Sequence, residues 1–409
     1  MSKKFSISGI ASSAYVHIPF CRRRCFYCDF PVSVVGDRLR GETSGTISQY
    51  VEVLCQEIAI TPAFGQPLKT IFFGGGTPSL LSIEQLQRIL RELEKHFGIA
   101  SGAEISMEID PATFDLAHIA GYRSAGVNRV SLGVQAFQGE LLQRAGRSHS
   151  VEDIFAAVEL IHQVEIPEFS LDLISGLPHQ SLDQWQDSLE KAVAMSGDKS
   201  LLSETLRERA YAPTHISIYD LTIEPGTAFG RYYKPGDTPM PTDEATVKMY
   251  QMGQQVLTSA GYEHYEISNY AQPGHQCRHN RVYWENRPYY GFGMGAASYV
   301  EGKRFTRPRK TKEYYQWVQA GGVIDCDVTP PKEVLLETLM LGLRLAEGLS
   351  LAALAEAYGE EKVEEICRCL QLYFEKGWVE VAEGRLRLID PQGFLFSNVV
   401  LAKLFEKLG

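Results

Sequence analysis

From Tyr15 to about Leu221 the chain alternates short runs rich in β-branched and aromatic residues with longer amphipathic stretches. The runs AYVHIP, KTIFFG, EISMEI, RVSLGVQ, FSLDLI and HISIYDL read as strands, and their alternation with helical patterns predicts a parallel α/β sheet or barrel. SIEQLQRILRELEKHFG shows the helical side of the pattern. Ser82 and Gln85 form a capping-box signal, Gly98 is a stop, and Ile83, Leu86, Leu90, Leu93 and Phe97 share one stripe. Such a helix lies on a sheet.

Alternation within the strands goes further, because successive side chains of a strand point to opposite faces. Ile105, Met107 and Ile109 oppose Ser106 and Glu108; Val130, Leu132 and Val134 oppose Ser131, Gly133 and Gln135. In the next two strands Phe169, Leu171 and Leu173 oppose Ser170 and Asp172, and Ile216 and Ile218 oppose Ser217 and Tyr219. With the aliphatic face under the helices, the other face is a polar lumen. Glu108, Gln135 and Asp172 then sit near the C-terminal rim, where (β/α) barrels build ligand sites. A set of interior residues that satisfy one another gives the same pattern. Arg147, in the loop after the Gln135 strand, fits either this rim or a surface salt bridge.

The pattern divides the chain at 1–230 for the α/β unit, 231–325 for an extension rich in aromatic and polar residues, and 326–409 for a small winged-helix-like α+β domain. The last contains helical runs and a hairpin, GWVEVAEGRLRLID. Residues 197–213 lengthen one connection and carry no functional reading.

Composition adds constraints. The 409 residues are 44% hydrophobic and 22% charged, as in an ordinary globular protein. No apolar run approaches the roughly 18 residues of a membrane span, and the first residues lack a compact apolar signal region, so a cytosolic protein without a transmembrane segment is expected. A net charge of −10, with nine acidic against five basic residues between 350 and 390, argues against nucleic acid as a partner, winged-helix pattern notwithstanding. KRFTRPRK, residues 303–310, is a local exception that either faces an anionic ligand or is a solvated basic loop.

Eight cysteines in a chain of this size are not a secreted disulfide framework. Cys55, Cys326, Cys367 and Cys369 sit in apolar or mixed contexts and read as inert. Cys21, Cys25 and Cys28, in CRRRCFYC, are too close to pair sensibly with one another, and thiolates so clustered favour a soft metal or an iron–sulfur cluster. Structural zinc normally closes with four protein ligands, and a fourth would have to come from afar, for example His17 or a remote cysteine. Three thiolates on a 4Fe–4S cubane instead leave one iron open to a small molecule. FFGGGTP, residues 72–78, ends the following strand with glycines that let backbone approach a ligand closely.

YVHIPFCRRRCFYC, FFGGGTP, SMEIDP, SLGVQAF and DLISGLP, in this order, resemble the radical S-adenosylmethionine (SAM) proteins, in the branch related to oxygen-independent coproporphyrinogen III oxidase. The resemblance implies a partial (β/α)6 TIM-like barrel and a 4Fe–4S cluster on Cys21, Cys25 and Cys28, flanked by Tyr15 and Tyr27. It also implies a cofactor pocket of Gly75, Gly76, Thr77, Glu108, Gln135, Arg147 and Asp172. The decarboxylating members carry a further cysteine two residues past the third, where this chain has Phe30, and a longer segment ahead of the position of Tyr15. Both departures point to the HemW-type haem chaperones, whose HNxxYW signature matches CRHNRVYW, residues 277–284. By that resemblance His279 is the leading axial ligand for haem and Cys277 the alternative. The expected function is to accept haem and pass it to an acceptor protein or membrane enzyme, with a peripheral membrane contact and a homodimer left open. The alternatives are a radical SAM oxidase acting on a porphyrinogen and an RNA-modifying enzyme, the latter opposed by the acidic charge.

Overall fold

The computed structural model describes residues 10–37, 40–195 and 213–409. All but Pro213 of the 197–213 insertion lies outside the described residues. All six expected strands form: β1 Ser13–Ile18, β2 Leu68–Gly75, β3 Ile99–Ile109, β4 Arg129–Gln135, β5 Glu168–Ser175 and β6 His215–Asp220. They pair in that order and all in parallel. The sheet continues beyond them to nine strands. β7 Glu263–Glu266 and β8 Asn269–Ala271 run antiparallel beyond β6, and β9 Tyr290–Phe292 lies parallel outside β1. The edge strands β7 and β9 do not pair, so the barrel is partial and open.

Connections between the six strands carry α1 Gly45–Ile60, α2 Ile83–Phe97, α3 Leu116–Ala125, α4 Val151–Gln163 and α5 Leu182–Ala194. In α2 the Ser82 side chain accepts from the Gln85 N–H while Gln85 reaches back to the Ser82 N–H, a cap worth about 1 kcal/mol. Leu86, Leu90, Leu93 and Phe97 are buried together with Ile89, and Ile83 is half-buried. The aliphatic faces of the strands are fully enclosed, with Met107, Val130, Leu132, Val134, Leu171, Leu173 and Ile216 all without exposed surface. That burial turns the polar faces into the lumen.

After the barrel come α6 Asp243–Ser259, α7 Arg278–Trp284, a hairpin of β10 Ala297–Val300 and β11 Lys303–Thr306, and α8 Thr311–Gln319. A buried pair fixes this segment to the barrel: Arg307 donates through Nε to Glu57 at 2.7 Å, and Glu57 also accepts from the Tyr314 hydroxyl and the Gly293 N–H. The C-terminal part runs α9 Pro331–Gly342, β12 Leu349–Ser350, α10 Leu351–Tyr358, α11 Glu360–Cys369, β13 Val379–Ala382, β14 Arg385–Leu388 and α12 Ser397–Leu408. Helix, strand, further helices and a two-stranded wing, with sheet order β12-β14-β13, is the order of a winged helix. Its core of Leu339, Leu343, Leu370, Leu386, Val400 and Leu404 also takes in Tyr250 from α6, and Asp390 accepts from His264 Nδ1 at 2.9 Å.

Candidate functional site

β1 delivers the chain to an irregular loop on which Cys21, Cys25 and Cys28 are half-buried free thiols lining one cavity of about 400 Å³. Two guanidiniums hold the loop backbone. Arg24 donates to the carbonyls of Cys28 (3.1 Å) and Phe30 (3.3 Å), and Arg309 to that of Asp29 (3.3 Å). Burial pushes the Cys21 thiol up to about 12 and the Cys28 thiol upward, so a metal would have to displace their protons. Among the described residues no three His, Cys, Asp or Glu side chains stand at the spacing that closes on a single ion.

Arg147 meets this cavity from the loop after β4. Its Nη1 lies 3.3 Å from Cys25 Sγ, and its Nη2 donates to Asp110 Oδ1 at 2.5 Å and to the Gly133 carbonyl at 2.9 Å. The surface-salt-bridge alternative is therefore excluded: its ion pair is at the site, with the Arg147 side chain 7% exposed. Asp110 is a residue that strand alternation does not reveal, because it lies one position past the end of β3; it also accepts from the Thr77 hydroxyl at 3.3 Å. Its only sequence signal is its place in SMEIDP.

The glycines have a structural reason of their own. Gly75 has φ +113°, and a Cβ there would meet the His17 ring at 2.4 Å. A Cβ on Gly76 would meet the Phe20 carbonyl oxygen at 2.6 Å, because Gly76 and Thr77 donate to the carbonyls of Ile18, the last residue of β1, and Phe20, just past it. The Gly75 N–H already donates to Glu108 Oε2 at 2.9 Å. Close backbone packing thus explains Gly76 as fully as a ligand would.

Glu108, Gln135, Arg147, Asp172 and Tyr27 line the cysteine cavity together with Gly75, Gly76 and Thr77. Gln135 reaches it from φ +68°, after an irregularity in the pairing of β4 with β5. Burial raises Glu108 to about 8 against the opposing Gly75 hydrogen bond, and Asp172 to about 6 against hydrogen bonds from serines. Ser131 donates to Asp172 within 2.9 Å. Ser131 and Tyr219 therefore join the wall, as the lumen alternation implies.

Below lies a second cavity of about 240 Å³, lined by Tyr15, Ser106, Arg129, Ser170, His215, Cys277, His279 and Tyr283 and sharing Gly75, Glu108, Ser131, Asp172, Tyr219 and Phe30 with the first. Tyr15 faces this deeper space, not the cysteine cavity. Glu104 on β3 accepts from the Arg278 and His279 N–H groups, pinning the start of α7 under the barrel floor as a carboxylate at a helix N-terminus does. His279 is thereby fully buried. One ring nitrogen bonds the Thr70 hydroxyl at 2.7 Å, the other the Tyr283 hydroxyl at 2.9 Å, and burial lowers its pKa to about 3. Neither nitrogen is open to iron in this arrangement. Cys277, 3.6 Å from Glu104, is likewise enclosed, its thiol pushed up to about 12 by burial. Both residues sit at the opposite end of the lumen from the cysteine loop.

The Radical SAM superfamily matches residues 15–192 and the HemN C-terminal domain residues 329–396. A Synechocystis sp. protein named heme chaperone HemW is 46% identical over 97% of both chains, and the Bacillus subtilis protein of that name is 33% identical over 97% of this chain and all of its own. This chain belongs to the HemW family. As a radical SAM protein it uses a 4Fe–4S cluster and S-adenosylmethionine. Its fold is also that of Escherichia coli coproporphyrinogen III oxidase (HemN), with a TM-score of 0.78 over 96% of this chain and 90% of that one; at 23% identity the likeness is one of fold. The residues present fit both cofactors: three free thiols share one cavity wall with a guanidinium beside Cys25 and a polar lumen beyond. No helix among the described residues is long and apolar enough to cross a membrane.

Proposed function

We propose that this protein is a haem chaperone, binding haem and transferring it to an acceptor protein while keeping the cluster and the S-adenosylmethionine site. The observation that carries the reading is the near-complete match to relatives named heme chaperone, together with Phe30 at the position where decarboxylating relatives carry cysteine. Phe30 lines both lumen cavities and is 55% exposed, so an inert phenyl replaces a thiol at the place where the cluster loop meets the lumen.

In this proposal Cys21, Cys25 and Cys28 would hold the 4Fe–4S cluster through their thiolates. The cluster, when bound, supplies an open iron for the methionyl end of S-adenosylmethionine. Arg147 donates to Cys25 Sγ and anchors Asp110. Glu108 and Asp172 offer carboxylates to the hydroxyl and ammonium groups of the cofactor, with Gln135 and Thr77 beside them. The cytoplasm is the proposed compartment, because three open thiols require a reducing one. The test is titration of the cluster-reconstituted protein with haem. About one haem per chain at micromolar affinity is expected, and no stoichiometric binding at that concentration refutes the chaperone reading.

A further inference from the structure

A third cavity, of about 350 Å³, lies on the outer side of the cysteine loop, and Arg24, Phe30, Met294, Arg309, Lys310 and Thr311 are in its wall. It shares Arg24, Phe30 and Val32 with the cysteine cavity, so the two meet along one edge. The basic segment left unexplained by sequence thus comes to the lip of the lumen.

Its charge is unusual for a chain of net charge −10. Three cations face one carboxylate, Asp29, in this wall. Arg24 and Arg309 spend donors on the backbone carbonyls of Cys28, Asp29 and Phe30, and among the described residues neither pairs with a carboxylate. Lys310 reaches Glu313 at 2.9 Å, but with 78% and 53% of the two side chains exposed, a pair that solvent screens. α8 starts at this wall, and Lys310 makes no side-chain cap for it. The positive end of the helix therefore adds to the cations. Beside this charge the Phe30 ring offers an exposed aromatic face. Guanidiniums that match carboxylates, next to an aromatic surface, suit a flat apolar anion.

Resting on the chaperone reading above, we propose that haem docks on this shelf, its propionate carboxylates against Arg309, Lys310 and Arg24 and its macrocycle against Phe30. Haem then sits at the lip of the barrel beside the cluster loop, far from the enclosed His279. The position leaves one face of the macrocycle open to an acceptor, as a carrier requires.

The full-length, cluster-reconstituted protein is titrated with haem and with haem dimethyl ester, which lacks the carboxylate charges, and the R309E/K310E variant is titrated alongside. In preparations with wild-type iron content, the variant should raise the Kd for haem about tenfold or more, as loss of matched charges does. The ester should bind the wild type as weakly as haem binds the variant, and the variant should weaken ester binding no further. Wild-type protein that binds the ester as tightly as haem overturns the shelf, and this arm decides the matter even where the variant loses its cluster. Unchanged haem affinity in a variant with full iron content overturns it too. No haem binding by the wild type would instead remove the chaperone reading itself, and the shelf with it.

Discussion

Replacing Glu108 by Gln should stabilise the ligand-free protein and weaken its hold on S-adenosylmethionine. The Glu108 carboxyl titrates near 8 in the fold against an ordinary value of 4.5, mainly because burial penalises its charge. Between those two values the folded protein binds a proton that the unfolded chain has released. Stability therefore falls as pH rises from about 4.5 towards 8, and the penalty is complete above the folded value. Integrated from 4.5 to pH 7 at about 1.36 kcal/mol per pH unit, the loss is about 3 kcal/mol. Because Glu108 is only half-buried and its cavity admits water, about 1–2 kcal/mol is the realistic magnitude.

Gln keeps an oxygen to accept from the Gly75 N–H, so the packing and the 2.9 Å hydrogen bond survive while the proton linkage disappears. Urea denaturation of both proteins at pH 5 and pH 8 checks this. The variant should gain over the wild type at pH 8 and much less at pH 5, and calorimetric titration at pH 8 should show S-adenosylmethionine binding weakened. A variant less stable than the wild type at pH 8, or equally shifted at both pH values, would refute the assignment of the strain to Glu108.

Serine at Cys21, Cys25 or Cys28 should each abolish the broad visible absorbance of the cluster and most of the bound iron; unchanged iron in all three would sink the ligand proposal. Arg307→Met leaves Glu57, with no exposed surface, without its cation and should cost about 3–5 kcal/mol in urea unfolding; a loss below about 1 kcal/mol would mean the pair is not what ties residues 290–314 to α1. Gly76→Ala should cost about 1–3 kcal/mol, because the added carbon meets the Phe20 and Ile18 carbonyls; unchanged thermal stability would return Gly76 to a purely ligand-driven role. With S-adenosylmethionine and a reductant under anaerobic conditions, an intact cluster preparation should make no protoporphyrinogen from coproporphyrinogen, and product detected chromatographically would restore the oxidase alternative.

The six barrel strands and the lumen were legible because each strand is long enough to show its period, and most of them set aliphatic side chains on one face and polar ones on the other. β7, β8 and β9 were not: four, three and three residues long, they lie inside a run of mixed aromatic and polar residues where no period can be counted. They are recruited as edges by a sheet that already exists, a tertiary effect. Asp110 escaped for a related reason, since alternation stops at the last strand residue while the ion pair with Arg147 begins one residue later. Arg147 itself was ambiguous because sequence gives its charge and not the depth at which its partner lies.

His279 and Phe30 show how far residue identity can be taken. The signature around His279 marks a histidine whose value depends on what its two nitrogens touch, and the fold spends both on hydroxyls of Thr70 and Tyr283 beneath the barrel. Recruiting it to iron would leave a buried hydroxyl unpaired and cost the penalty of that group, about 1–3 kcal/mol, before any bond to metal formed. Phe30 has no polar atom to misread. Its position two residues after Cys28 fixes it beside the cysteine loop, and three cavities share its side chain. A site whose meaning rests on position in the chain can be read from sequence, whereas one whose meaning rests on hydrogen-bond partners must wait for the fold.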